Sequence, residues 1–209
     1  MKTNTTIILD FGGVLMKHDR EECLRAFRRL MSDEDISAVL GLGNDLPGTL
    51  RVRLETGELS AEEFVGCVQK YCVRGTSGQQ VIDAWNKMHA GIDDSTWESV
   101  RRLKDEGFRI YLLSNTDAIH WQHTLELYGK RIDECFDDVF LSFEYHMMKP
   151  DGKFYRIVNG KICSSPDRIL FVDDSEANRR AAQETVGWRT CADLKELYEC
   201  VRNGMGKGL

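Results

Sequence analysis

The chain has 209 residues, 42% of them apolar, and a formal net charge of -6, which suits one domain with a modest insertion and a sizeable core. This acidic balance offers no basic face for nucleic acid, and no run reaches the 18 or more apolar residues of a membrane-spanning helix. The N-terminus has no long apolar region before a small-residue cleavage site, so no signal peptide is expected. The seven cysteines, Cys23, Cys67, Cys72, Cys135, Cys163, Cys191 and Cys200, are odd in number and contain no Cys-x-x-Cys pair. That spacing argues against a zinc ribbon or redox motif and for reduced, buried thiols in a cytoplasmic protein.

A first strand is expected over "TIIL", running into Asp10 with Gly12 and Gly13 behind it. From about 16 to 92 the pattern is helical. "REECLRAFRRLM" places Cys23, Leu24, Phe27, Leu30 and Met31 on one face. "SDEDISAVLG" opens on Ser32 as N-cap and stops at Gly41. Ser60 and Glu63 form a capping box ahead of Phe64, Val65 and Val68, and "QQVIDAWNKMHAG" closes at Gly91.

Strands and helices then alternate. Ser95 and Glu98 are expected to cap a helix with Trp97, Val100 and Leu103 inward. "FRIYLLSN" reads as a strand, about 117 to 128 as a helix and "DVFLS" as a strand. A helix near Pro150 ends at Gly160, "RILFVDD" is an apolar strand ending in acid, and a helix, the short strand "WRTC" and a last helix near 193 to 202 follow. This alternation predicts an α/β fold, a parallel sheet with helices on both faces. The expected layout is a Rossmann-like core over 1–15 and 93–209 with an all-helical insertion over 16–92.

Ligands of such sheets bind outside the carboxyl ends of the strands. Asp10, the pair Ser114 and Asn115, and the pair Asp173 and Asp174 all sit at such ends, with Lys149 a few residues beyond "DVFLS". Converging carboxylates repel unless a cation lies among them, and hard oxygen donors suit Mg²⁺ shared with a phosphate. Lys149 and Ser114 then read as ligands of the phosphate, and an aspartate is available as nucleophile.

The ordered set "IILDFGGVL", "YLLSNTD", "MMKPD" and "ILFVDDSEAN" resembles the haloacid dehalogenase-like hydrolase superfamily, and the insert matches the position of that family's helical cap. "SNT", "KP", "FVDD" and "TGELSAEEF" are most similar to the subgroup containing α-D-glucose-1-phosphate phosphatases. The resemblance implies Asp10 as nucleophile forming an aspartyl-phosphate. Mg²⁺ would be held by Asp10, the Gly12 carbonyl and Asp174, with Asp173 acting directly or through water. Ser114 and Asn115 would hold the phosphate, and Lys149 would neutralise charge beside the nucleophile. One position departs from the family: most of its phosphatases carry a general acid two residues after the nucleophile, where this chain has Gly12. Without that acid, leaving groups that depart readily, such as an anomeric hydroxyl, are expected to be favoured.

The remaining polar residues have plainer readings. Ser114 and Asn115 can also cap the following helix. His120 and His123 share a helical face and read as surface. Trp85 and Trp97 read as packing. His18 and Asp19 read as linker residues, and they are the nearest substitutes for the missing acid. The expected function is Mg²⁺-dependent hydrolysis of a small phosphorylated metabolite. A 2-haloacid dehalogenase and a phosphate-binding module without turnover are the alternatives. No motif points to nucleic acid, membrane or a particular oligomer.

Overall fold

β1 (Thr6–Leu9) is followed by five helices, α1 (Arg20–Phe27), α2 (Asp33–Leu40), α3 (Leu50–Glu55), α4 (Ala61–Gln69) and α5 (Gly78–Asn86). The chain then runs through α6 (Asp94–Asp105), β2 (Arg109–Ser114), α7 (Ala118–Cys135), β3 (Asp138–Leu141) and the single turn α8 (Ser142–Tyr145). It ends with α9 (Gly152–Ile162), β4 (Ile169–Val172), α10 (Glu176–Val186), β5 (Arg189–Cys191) and α11 (Leu194–Cys200). These elements come from a computed structural model, which describes residues 5–41 and 48–205. The tail beyond 205, part of a glycine-rich stretch, lies outside the described residues.

All the strand pairings are parallel and the order is β3-β2-β1-β4-β5. Short parallel strands with apolar centres are stable only when both faces are covered. Ile7, Leu9, Ile110, Leu112 and Val172 face Trp97, Val100, Leu103, Trp121 and Leu197 of α6, α7 and α11. Ile8, Leu113, Phe140 and Phe171 face Phe154, Tyr155, Val158 and Ala182 of α9 and α10. Leu9 pairs with Leu112 on one side and Val172 on the other. The residues just past β1, β2 and β4 therefore finish side by side, where strand order reverses about β1.

Between β1 and α6 a second hydrophobic cluster forms from Phe27, Leu40, Leu54, Phe64, Val68, Val81 and Trp85, and Ile119 of α7 joins it. The two segments that connect these helices to the sheet pair with each other. Ala90 N–H donates to Lys17 O at 2.9 Å, Asp19 N–H to Met88 O at 2.8 Å, and His18 bridges His89 in antiparallel fashion.

Helix ends follow the local chemistry in most places. The Ser32 hydroxyl accepts from Asp35 N–H, Gly41 closes α2 in the left-handed region, and the Ser60–Glu63 box forms. A second box, Ser77 with Gln80, opens α5. Four expectations are corrected. The N-cap of α6 is Asp93, which leaves Ser95 inside the helix. α7 is capped by Asp117, not by Ser114 or Asn115, and it continues past Gly129 to Cys135. Burial of Ile132 and Cys135 on that last turn outweighs the roughly 1 kcal/mol that a helical glycine costs. α9 starts after Asp151, which leaves Pro150 outside it, and runs through Gly160 to Ile162. α3 has weak apolar periodicity and was not expected; Thr49 caps it and Leu54 buries it.

Asp117 ties the inserted helices to the sheet. Its carboxylate accepts from Ile119 N–H and His120 N–H, from the Trp85 indole at 3.1 Å and from His120 Nδ1 at 2.8 Å. His120 Nε2 meets Trp85 O at 3.0 Å, and the two rings stack 5.1 Å apart. His120 is thus buried rather than a surface residue, because the inserted helices cover the face that it occupies. Burial alone would lower the His120 pKa, but Asp117, with Glu55 adding to it, holds it above 6.5. The same pairing outweighs burial at Asp117 and holds that carboxylate below 3.8.

The Asp117 contribution is present above 3.8 and lost as pH falls through its depressed value. The His120 contribution is complete below 6.5 and lost as pH rises through its raised value. Replacing His120 with Gln should therefore cost about 1.5–3 kcal/mol at pH 6. The difference should shrink at pH 9, as read by urea unfolding of both proteins.

Candidate active site

Asp10 continues β1 by one residue, and its N–H donates to Val172 O at 2.8 Å. Its side chain is 9% exposed. Oδ1 accepts from Phe11 N–H at 2.7 Å and from Lys149 Nζ at 2.8 Å. Lys149, itself buried, also donates to Asp173 Oδ2 at 2.6 Å, so one ammonium spans two carboxylates. Burial would lower the Lys149 pKa, but Asp10 and Asp173 outweigh it and hold it above 10.5. Asp10 is raised to about 7, by burial first, with Lys149 opposing and Asp173 adding to the rise.

The backbone of Lys149 is clamped. The Asn115 amide donates to Lys149 O at 2.9 Å and its carbonyl accepts from Lys149 N–H at 2.8 Å. Asn115 thus turns its amide to Lys149. Ser114 lies buried at the end of β2 beside the same group. Ser142 supports the turn between them by bonding both Thr116 N–H and Thr116 O at 2.9 Å.

Past β4, Asp173 and Asp174 diverge. Asp173 is fully buried and accepts from Ser175 N–H, Asn178 and Lys149. Arg179 donates to the backbone carbonyls of both aspartates, at 2.6 and 2.9 Å. Asp174 is exposed. One carboxylate oxygen each from Asp10, Asp173 and Asp174 lie within 4.8 Å of one another. Asn178 and Arg179 were not expected in the site, although both follow the acidic pair within the first turns of α10.

The turn after Asp10 is tight: Leu15 N–H and Met16 N–H both donate to Phe11 O, and Gly13 N–H donates to Met16 O. Gly13 adopts φ +79°, and a Cβ there would lie 2.2 Å from the Asp174 carboxylate. Gly12 needs no positive φ. A Cβ at Gly12 would instead meet His18 Nε2 at 2.2 Å. Asp19 faces away, exposed, and caps α1 through Glu22 N–H at 2.8 Å. His89 stacks on His120 at 4.3 Å, and burial together with His120 pushes its pKa down to about 2, so it is neutral.

The sequence pattern of the haloacid dehalogenase-like hydrolases matches residues 5–184. A D-ribitol-5-phosphate phosphatase of Bacteroides thetaiotaomicron is 28% identical over 189 residues, covering 88% of this chain and 89% of that one. A sesquiterpene phosphatase of Aspergillus oryzae is 32% identical over 109 residues, 48% of this chain and 55% of that one. Among solved structures, a family enzyme of B. thetaiotaomicron in complex with magnesium and inorganic phosphate superposes with a TM-score of 0.79. It is 26% identical, and the match covers 90% of this chain and 92% of that one.

Gly13 has both a backbone and a contact reason to be glycine. Gly13→Ala should destabilise the protein by about 1–3 kcal/mol, measured as a shift in the urea midpoint. An unchanged midpoint would mean that the turn relaxes freely.

Proposed function

The chain belongs to the haloacid dehalogenase-like hydrolases, and on that premise we propose that it is a Mg²⁺-dependent phosphatase. Its substrate would be a small phosphorylated metabolite, a sugar or polyol phosphate, and Asp10 would carry the phosphoryl group as an aspartyl-phosphate. One observation carries this reading: Asp10 and Asp173 share a single buried lysine at the switch point of the sheet, and a third carboxylate, Asp174, lies within 4.8 Å of both.

The donor set fits a hard divalent cation. Three carboxylates against one ammonium leave excess negative charge, and every candidate ligand is an oxygen. Asp10, Asp174 and the Gly12 carbonyl would hold Mg²⁺. Asp173, whose oxygens already serve Lys149, Ser175 and Asn178, suits an indirect role. Bound there, Mg²⁺ supplies positive charge to the phosphate oxygens. The residues do the rest. Phe11 N–H and Lys149 fix Oδ1 of Asp10 and so orient the carboxylate for attack on phosphorus. The phosphorus–oxygen bond to the leaving group breaks, and water then releases phosphate from Asp10. Lys149 faces the charge that spreads over the equatorial oxygens. The Ser114 hydroxyl would hold one of these oxygens, while Asn115 acts through the Lys149 backbone.

The helical unit over 16–92 would close over the substrate and select its organic half. Attack on a halogenated carbon needs no cation and would leave the second negative charge of the cluster, on Asp174, uncompensated beside the nucleophile, so the cluster favours phosphorus. The seven free cysteines support a reducing, cytoplasmic setting. Among the described residues no helix is long and apolar enough to cross a membrane.

A screen of phosphorylated metabolites with Mg²⁺, read as released phosphate, tests the reading. Wild type should turn over, while Asp10→Asn should be inactive and Lys149→Ala strongly slowed in kcat with its fold intact. Halide release without Mg²⁺, or equal turnover by Asp10→Asn, would overturn the reading.

The charge on Asp10 makes a second prediction. Its pKa rises from 3.8 to about 7 in the fold. Its contribution to the stability of metal-free protein is therefore complete below 3.8 and lost as pH rises through about 7. Mg²⁺ should raise the melting temperature more at pH 8 than at pH 6, and Asp174→Asn should abolish most of that increment. An equal increment in Asp174→Asn would remove Asp174 from the ligand set.

A further inference from the structure

We propose that His18 is the proton donor and acceptor of this site, standing where Gly12 leaves room for it. The inference rests on the phosphatase reading above and names the group that this reading lacks. Asp10, Lys149 and Asp173 form a closed floor, with Lys149 Nζ within 2.8 Å of both carboxylates. The organic half of an ester bound at Asp10 can lie only on the open side, toward the inserted helices. An oxygen departing in line from phosphorus leaves in that direction. His18 lies beside Gly12, in the segment that leads from the sheet to α1, and it is solvent-accessible.

Its position is specific. Nε2 is the His18 atom nearest to the Cβ that Gly12 lacks, at 2.2 Å, and Cε1 follows at 2.8 Å. Any side chain at residue 12 would therefore displace the ring. The glycine is a steric requirement of the imidazole as well as a convenience of the turn. The ring hydrogen-bonds with the Met88 backbone and lies 6.3 Å from the His89 ring; burial first, and then His120, lower its pKa, while Asp174 and the Met88 bond oppose the shift. His18 also bridges His89 through the backbone. Both connecting segments thus orient one imidazole edge toward Gly12, two residues from the nucleophile.

The other titratable groups nearby are committed. Lys149 neutralises two carboxylates, Asp173 is saturated by Lys149, Ser175 and Asn178, and the Asp19 carboxylate caps α1. Asp174 lies against Gly13 within the carboxylate cluster. His89 is turned into the stack with His120.

The proton balance closes over two steps. As Asp10 attacks, the bond from phosphorus to the ester oxygen breaks, and that oxygen takes the proton from His18 Nε2 to leave as a neutral alcohol. Water then attacks the aspartyl-phosphate and gives its proton to the same nitrogen. The bond to Asp10 breaks, and phosphate departs with His18 protonated again. With a proton supplied, poor leaving groups such as primary alcohols become usable. Anomeric phosphates lose the advantage that a site without an acid would give them.

The test is the dependence of kcat/KM on leaving group, with Mg²⁺ present, over substituted aryl phosphates from p-nitrophenyl to unsubstituted phenyl. Wild type should show a shallow slope. His18→Ala should lose least in kcat/KM on p-nitrophenyl phosphate and about 10²–10⁴-fold on esters whose leaving oxygen needs a proton, while kcat falls on every ester because the second step also uses His18. His18→Gln, which keeps a polar side chain but cannot give or take a proton near neutral pH, should show the same steep slope. Gly12→Asp in the His18→Ala background, where the added Cβ no longer meets the ring, should restore a shallower slope; in the His18 background it should not. Equal loss across the series, or none, would make His18 a structural residue and overturn the assignment alone. Absence of phosphate release from every ester by wild type would overturn the phosphatase reading and this assignment with it.

Discussion

The site depends on one buried cation shared by two carboxylates. Lys149 Nζ lies 2.8 Å from Asp10 and 2.6 Å from Asp173, and its side chain is 1% exposed. Removing one partner of such an arrangement strands a charge in the interior, which typically costs about 3–5 kcal/mol. The surrounding bonds can be understood as holding this triad still. Asn115 clamps the Lys149 backbone, Asn178 and Ser175 fix Asp173, and Arg179 draws together the carbonyls that follow β4. The ring of Phe171 lies 5.7 Å beneath the ammonium. A group of this kind cannot relax when charge develops in front of it, and such preorganisation is what makes electrostatic stabilisation effective.

The insertion between β1 and α6 owes its importance to its point of attachment. It leaves the sheet six residues after the nucleophile turn begins and returns beside the same turn, the two segments paired backbone to backbone. Gly12 and His18 therefore stand at the root of the inserted helices. The Asp117–Trp85–His120 contact ties these helices to α7, at a helix N-terminus where a carboxylate already satisfies two backbone N–H groups. One residue caps a helix and docks a neighbouring unit.

Much of this was legible in the chain, for local reasons. Asp10, Asp173 and Asp174 end apolar runs, and the rule that parallel sheets bind ligands at their carboxyl ends was enough to bring them together. Lys149 was legible only through motif order, since nothing local distinguishes a buried lysine from a loop lysine. Asn115 reads in sequence as a cap or a phosphate ligand, yet its amide lies on a backbone 34 positions away. Asn178 and Arg179 look like ordinary polar residues of a helix. Their roles depend on how α10 is set against the end of β4.

The sequence by itself determined the strand ends, the Ser60–Glu63 capping box, the family and the identity of the acidic cluster. All of these follow from spacing within a few residues or from motif order. Tertiary structure alone decided which polar residues face one another. The periodicity of α7 places His120 and His123 on one face but does not say that the inserted helices cover it. Gly12 reads as the loss of an acid until the fold brings His18, six residues on, into the space that a side chain there would fill. The physical reason is the same in each case. Hydrophobic pattern and capping act along the chain, whereas a hydrogen bond or a steric exclusion between distant segments exists only once the chain has closed on itself.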